Sequence, residues 1–199
     1  MKKPVIVIGL GEMGSVFARG FLKAGYSVIP VNRDTDVAQL ALDSSEPELV
    51  LVAVAEKDLP ATLENLPAIW NSKTILLQNE LLPNDWLNKG LQNPTVISVW
   101  FEKKPGMDFK VLIPSPVFGR KAPVIQQALG TLNIPVEVIS NETDMLFELV
   151  RKNLYILSTN ICGLQTGGNV SQLWQENSIL LNRVFDDLLL VQEHLTGKN

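Results

Sequence analysis

Cysteine is almost missing from this chain. Cys162 stands alone, so no disulfide can form within it. Histidine is equally scarce, with His194 the only one, and one Cys plus one His cannot supply a zinc-ligand set. No apolar run reaches the length that spans a bilayer. The N-terminal Met1-Lys2-Lys3-Pro4 leads into a short apolar stretch that stops at Gly9 without a cleavage-site pattern, so no signal peptide is expected. Positive charge is not in excess: 17 Lys and Arg face 21 Asp and Glu, for a net −4, which argues against general nucleic-acid binding. Internal repeats and low-complexity segments are absent. The expectation is a cytoplasmic protein without metal, membrane or nucleic-acid partner. With 199 residues, 46% of them hydrophobic and 19% charged, the chain can build one ordinary domain, a small appendage and a sizeable core.

What is present is concentrated between Val5 and Arg33. Val5-Ile6-Val7-Ile8 is a continuous β-branched run, as in a strand buried on both faces. Gly9, Gly11 and Gly14 follow in the spacing G-x-G-x-x-G, with Leu10, Glu12 and Met13 between them. The first glycine permits a tight turn, the second lets a pyrophosphate approach the backbone, and the third lets the helix pack close to the strand. A helix follows, with Val16, Phe17, Gly20, Phe21 and Ala24 at helical spacing and Gly25 as its stop. Its free N–H groups and positive dipole end suit phosphates. The triplet alone is weak; strand before, helix after and a second strand at Val28–Val31 give it the context of a dinucleotide site. The alternative is a glycine-rich turn without a ligand.

The end of that second strand selects the dinucleotide. A carboxylate there accepts from a ribose 2′-OH, whereas a 2′-phosphate wants a cation and neutral donors. The strand ends in Asn32-Arg33, and Arg33 can grip a phosphate bidentately, so NADP(H) is the expected cofactor. The alternative for Arg33 is a solvated arginine paired with Asp34 or Asp36.

Further on, Thr35 or Asp36 caps a short helix through Leu42, and Glu48–Val54 is a buried strand whose end, Val54-Ala55, is expected to border the cofactor. A helix is expected over Ala55–Leu66, a strand over Thr74–Gln78 ending at Asn79, and a helix over Pro83–Leu91. Thr95–Phe101 and Phe109–Ile113 read as strands punctuated by Pro114-Ser115-Pro116. Ala122–Leu132 reads as a helix and Val136–Ile139 as a last strand. The connections leave no room for an extra edge strand. This alternation predicts an α/β, Rossmann-like doubly wound and mostly parallel sheet. From Asn141 the pattern is helical only: one helix to about Leu164, a break at Gly163, Gly167 and Gly168, and a final helix over Asn177–Leu195. Residues 1–140 are thus expected to form the NADP-binding domain, and 141–199 a short helical substrate or dimerisation segment.

Within the first of these helices Lys152, Ile156 and Asn160 lie on one track. Facing a cleft beside the nicotinamide, Lys152 can protonate a developing alkoxide and Asn160 can orient a substrate oxygen. On spacing alone the plainer alternative ranks ahead: Lys152 snorkels to solvent and Asn160 bonds backbone.

Here the sequence resembles the ketopantoate reductases, NADPH enzymes that reduce 2-oxo acids. That family carries a lysine with asparagines four and eight residues later. Lys152 matches the lysine, its catalytic acid, and Asn160 the second asparagine, while Ile156 replaces the first, substrate-binding one. Gly9, Gly11, Gly14 and Arg33 match its cofactor fingerprint. Asn79 matches an asparagine bordering substrate and cofactor, with Glu80 where the family has glycine. The family's lysine after the next strand falls at Ala55, with Lys57 nearby. The family's distal helices, which supply a serine and a carboxylate to the substrate, have no counterpart in this chain.

The resemblance implies an NADP-dependent oxidoreductase acting on a small 2-oxo acid or related carbonyl compound, as a short relative or with a site completed by another chain. Two alternatives stand beside it: a non-catalytic NADP-binding sensor or regulator, and a dehydrogenase of the wider hydroxyacid or 6-phosphogluconate type. The final helix spreads Ile179, Leu180, Leu181, Leu188, Leu189, Leu190 and Val191 around more than one face, so a homodimer is expected.

Overall fold

The computed structural model describes residues 2–198. The β-branched run forms β1 (Val5–Ile8), followed by α1 (Glu12–Lys23) and β2 (Val28–Val31). Helix α2 (Val37–Asp43) starts at Asp36, whose side chain accepts from the Gln39 N–H. Strand β3 (Leu49–Val52) leads to a 3₁₀ turn over Glu56–Asp58 and a short α3 (Leu59–Glu64). The single helix expected over Ala55–Leu66 is split there, because Pro60 enters at the opening of α3 and has no N–H to give.

Strand β4 (Thr74–Leu76), helix α4 (Pro83–Leu87) and strand β5 (Thr95–Ile97) complete the first half. The expected strand Thr95–Phe101 ends early. The Ser98 N–H still pairs with Pro116 O, but the Trp100 N–H goes to the Ser115 side-chain Oγ, and the chain leaves the sheet there. It then forms a two-stranded hairpin of β6 (Phe101–Glu102) and β7 (Lys110–Val111). Pro114-Ser115-Pro116 is not mere punctuation: Ser115–Phe118 is strand β8, antiparallel to β5. Helix α5 (Ala122–Gly130) and β9 (Val136–Val138) follow.

The sheet has seven strands in the order β2-β1-β3-β4-β5-β8-β9, parallel except between β5 and β8. Among the described residues no extra edge strand follows β2. Strand alternation divides the core. Val5, Val7, Leu49 and Leu51 pack with Phe17, Phe21 and Ile125 against α1 and α5. Ile6, Val50 and Val52 pack with Leu59, Trp70, Met145 and Leu149 on the other face.

Helix α6 (Glu142–Thr166) is capped by Asn141, which accepts from the Asp144 N–H. It runs straight through Gly163 and stops only at Gly167, whose φ is +64°. A single glycine costs a helix about 1 kcal/mol, which a buried face outweighs. Helix α7 (Val170–Glu176) was not expected; Asn169 and Gln172 form its reciprocal capping box, a signal present in the sequence as N-x-x-Q. Helix α8 (Ser178–Thr196) closes the chain. Among the described residues no helix is long and apolar enough to cross a membrane.

One contact controls the seating of α1. A Cβ on Gly14 would lie 2.0 Å from the Gly9 carbonyl oxygen, whereas one on Gly11 would meet nothing within 4 Å. Gly14→Ala is therefore expected to lower stability by about 1–3 kcal/mol, while Gly11→Ala changes it by less than about 0.5 kcal/mol. Urea unfolding of the two variants checks the contrast.

Candidate functional site

The parallel order reverses between β1 and β3, so their carboxyl ends part and leave a crevice, the place where such sheets bind ligands. A groove of about 870 Å³ opens there. Gly9 forms its floor with φ +91°, and a Cβ there would stand 2.8 Å from Ala53 O. Gly11 precedes the first turn of α1, and no side chain caps that end. The first N–H groups of a helix lack intrahelical partners, so they are available to an anion. The open space over Gly11 is the room a diphosphate needs.

The groove gathers much of the expected cofactor set. Gly9, Leu10, Gly11, Asn32, Arg33, Val54 and Ala55 line it. Glu12, Met13 and Gly14 do not; Gly14 is packed beneath Gly9, and Glu12 is tied by its Oε2 to Lys103 Nζ at 2.7 Å. The far wall is formed by Asp34 and Thr35 of the β2 exit, by Lys57, the lysine near the family position, and by Ala61, Thr62 and Asn65 of α3 and its end, the last three not singled out in the sequence. Thr35 holds the β2 exit through reciprocal bonds with Asn32, which leaves Arg33 exposed on the turn. Among the described residues Arg33 forms no ion pair, and Asp36 is occupied as the α2 cap.

Asn79 lies outside this groove, exposed after β4. Its N–H donates to Glu56 Oε1 at 2.5 Å, tying the β4 exit to the β3 exit. Burial raises the Glu56 carboxyl above its ordinary range, against the pull of the Asn79 and Glu80 N–H groups. Glu56 was not among the expected residues, and its place one position after Ala55 was the only signal.

Lys152 does not snorkel. It is 6% exposed, and its Nζ donates to Val99 O at 2.7 Å while lying 4.4 Å from the centre of the Trp100 ring. Val99 follows β5, so the ammonium sits at the carboxyl edge of the sheet, the edge that also carries the groove. No carboxylate pairs with it among the described residues. Desolvation lowers its pKa to about 8. Asn160 is not brought to it. Eight residues on, about 12 Å along the helix, Asn160 is exposed. The polar neighbour of Lys152 is instead Asn153, buried and donating to Leu81 O and Leu149 O.

A lysine with a lowered folded pKa binds fewer protons in the native than in the unfolded chain between about pH 8 and 10.5. Stability therefore rises with pH across that window, as the buried charge is released. Lys152→Met is expected to abolish that rise and to be the more stable protein below pH 8. Urea unfolding at several pH values checks both expectations.

Comparison with known proteins agrees with this geometry. Residues 4–75 match the family described as the NAD binding domain of 6-phosphogluconate dehydrogenase. No curated protein matches the chain. A ketopantoate reductase structure from Ralstonia eutropha JMP134 superposes at a TM-score of 0.70 and 16% identity, covering 100% of this chain and 76% of that one. The 2-dehydropantoate 2-reductase of Methylococcus capsulatus superposes at 0.65 and 13% identity, covering 91% and 72%. The dimeric ketopantoate reductase of Staphylococcus aureus superposes at 0.62 and 15% identity, covering 96% and 86%. The chain thus carries a pyridine-nucleotide-binding domain on the fold of the ketopantoate reductases.

Proposed function

We propose that this protein is an NADP-dependent reductase of a small 2-oxo acid or related carbonyl compound. Residues 1–140 hold the cofactor and residues 141–199 serve substrate and self-association, in a cytoplasmic homodimer. The observation that carries this is Lys152: a buried ammonium without a carboxylate, at the sheet edge shared with the groove. NADPH held in the groove would supply the hydride for the carbonyl carbon. Lys152 then gives its proton to the oxygen, completing the hydroxy acid. Its pKa of about 8 keeps it charged at neutral pH yet ready to release that proton. Arg33, exposed at the groove and without an ion pair among the described residues, grips the 2′-phosphate. Self-association is supported by the apolar surface of the last helices, where Leu164 is 91% exposed, Ile179 87%, Leu190 66% and Trp174 65%.

The second reading, a non-catalytic NADP sensor, is favoured by Asn160. It stands exposed and away from Lys152, and Ile156 offers no polar group between them.

Two measurements test the proposal, and the first separates the two readings. With NADPH and a panel of 2-oxo acids, Lys152→Ala is expected to lower kcat by at least about a hundredfold and to leave the dinucleotide Kd unchanged. Intact turnover in the variant overturns the assignment, and tight NADPH binding without turnover of any carbonyl supports the sensor. Arg33→Ala is expected to weaken NADPH by about 1.5–3 kcal/mol, roughly ten- to hundredfold in Kd, with NADH little affected. Equal affinity of the unaltered protein for the two cofactors overturns the 2′-phosphate role.

A further inference from the structure

The helix that carries Lys152 has a second working face. At 100° per residue, Leu146, Phe147, Val150 and Leu154 lie on the side of α6 away from Lys152. They look across a cleft of about 440 Å³ to Phe185 and Leu189 of α8. That volume falls in the range of small-molecule pockets, roughly 300–1,000 Å³, and an apolar wall with few polar groups is their usual lining.

The polar groups are the informative ones. Gln192 lines the cleft while only 2% exposed, and its Oε1 is buried with no donor among the described residues. Arg151 lines the same cleft. One terminal nitrogen meets Glu148 at 2.6 Å, its guanidinium lies over Trp100, and its Nε is buried with no acceptor. Leaving a buried amide oxygen unpaired is costly, and a leucine at the same place would avoid that cost. Turning the amide over exchanges its oxygen and nitrogen but still leaves a polar atom there. A hydroxyl, which both donates and accepts, answers either orientation. A carboxylate answers the Arg151 Nε–H; Glu193 and Lys198, of opposite charge, are also among the lining residues.

We propose that the cleft between α6 and α8 is a second ligand site, separate from the dinucleotide groove, for a 2-hydroxy acid with an apolar tail. The tail lies along Val150, Leu154, Phe185 and Leu189. The hydroxyl bonds the Gln192 amide, and the carboxylate takes the Arg151 Nε–H. The site stands on its own lining and does not depend on the reductase reading. If that reading holds, the ligand belongs to the class of product the reaction releases, and it binds on the rear of the helix that carries Lys152.

Calorimetric titration of the full chain with 2-hydroxyoctanoate, without dinucleotide, tests this. One equivalent is expected to bind. Gln192→Leu and Val150→Trp, the second filling the cleft, are each expected to weaken binding at least about tenfold while leaving the NADP⁺ affinity unchanged. Octanoate, lacking the hydroxyl, is expected to bind the unaltered protein and Gln192→Leu equally. The proposal is overturned by no binding at millimolar ligand, by equal binding of 2-hydroxyoctanoate to Gln192→Leu, or by its displacement with NADP⁺. It is overturned equally if light scattering shows two chains for the unaltered protein and one for both variants, which would make the cleft a contact between copies.

Discussion

Everything in this molecule is placed by a contact that admits no side chain. Helix α1 crosses the exit of β1 so closely that a Cβ at Gly14 would be 2.0 Å from the Gly9 carbonyl oxygen. On the same helix, Gly20 lets the Ala128 carbonyl of α5 approach; a Cβ there would stand 2.8 Å from it. Two missing methyl groups thus set the distance from α1 to the sheet beneath and to the helix beside it. The direction of α1 follows, and with it the aim of its first N–H groups over the parting of β1 and β3. The hairpin secures this arrangement from outside, with Lys103 reaching Glu12 and Asp108 reaching Arg19.

Much of this was legible because single residue types answer to single physical demands. Val5–Ile8 and Leu49–Val52 are apolar on both faces, and both became fully buried central strands. Asp36 and Asn141 sit where a helix needs an acceptor for its first N–H groups, and both cap. What misled was local chemistry overruled at a distance. Pro114 and Pro116 look like interruptions, yet the β5 exit offers the Ser98 N–H to Pro116 O and so recruits the segment as a strand. Gly163 looks like a stop, yet its neighbour Cys162 is buried with Leu173 and Leu181, and that packing carries α6 through. The dinucleotide end of the site was legible because its glycines and Arg33 are adjacent in sequence. The Lys152 end was only half legible, since spacing on a helix does not reveal how far two residues stand from a third element.

The surroundings of Lys152 show how a cation is held without an anion. Trp100 is its aromatic neighbour: Lys152 Nζ lies 4.4 Å and the Arg151 guanidinium carbon 5.2 Å from the centre of the ring, and the Tyr155 ring packs 5.2 Å away, centre to centre. An aromatic quadrupole attracts a cation without neutralising it. A carboxylate in that place would hold the lysine charged well above neutral pH. The indole and the Val99 carbonyl hold it in place, while desolvation with no anion to offset it lowers its pKa.

The reversal of the last two strands has a consequence for measurement along the chain. Because β8 and β9 run against β1–β5, α6 begins at the amino edge of the sheet, where Glu142 borders the same small cavity as Asn93 and Pro94. From there it climbs back beside β5. Ten residues of helix advance about 15 Å. Four residue steps of chain, from Thr95 through the end of β5 to Val99, advance about 13 Å if extended. The two rises nearly coincide, so Lys152 arrives level with Val99 O by counting alone. The helix acts as a ruler laid along the strand. One residue more or fewer between Glu142 and Lys152 would shift the ammonium by only about 1.5 Å but swing it through about 100°, out of the sheet edge altogether. The spacing of Lys152 from the start of α6 is therefore fixed by the position of Val99 O.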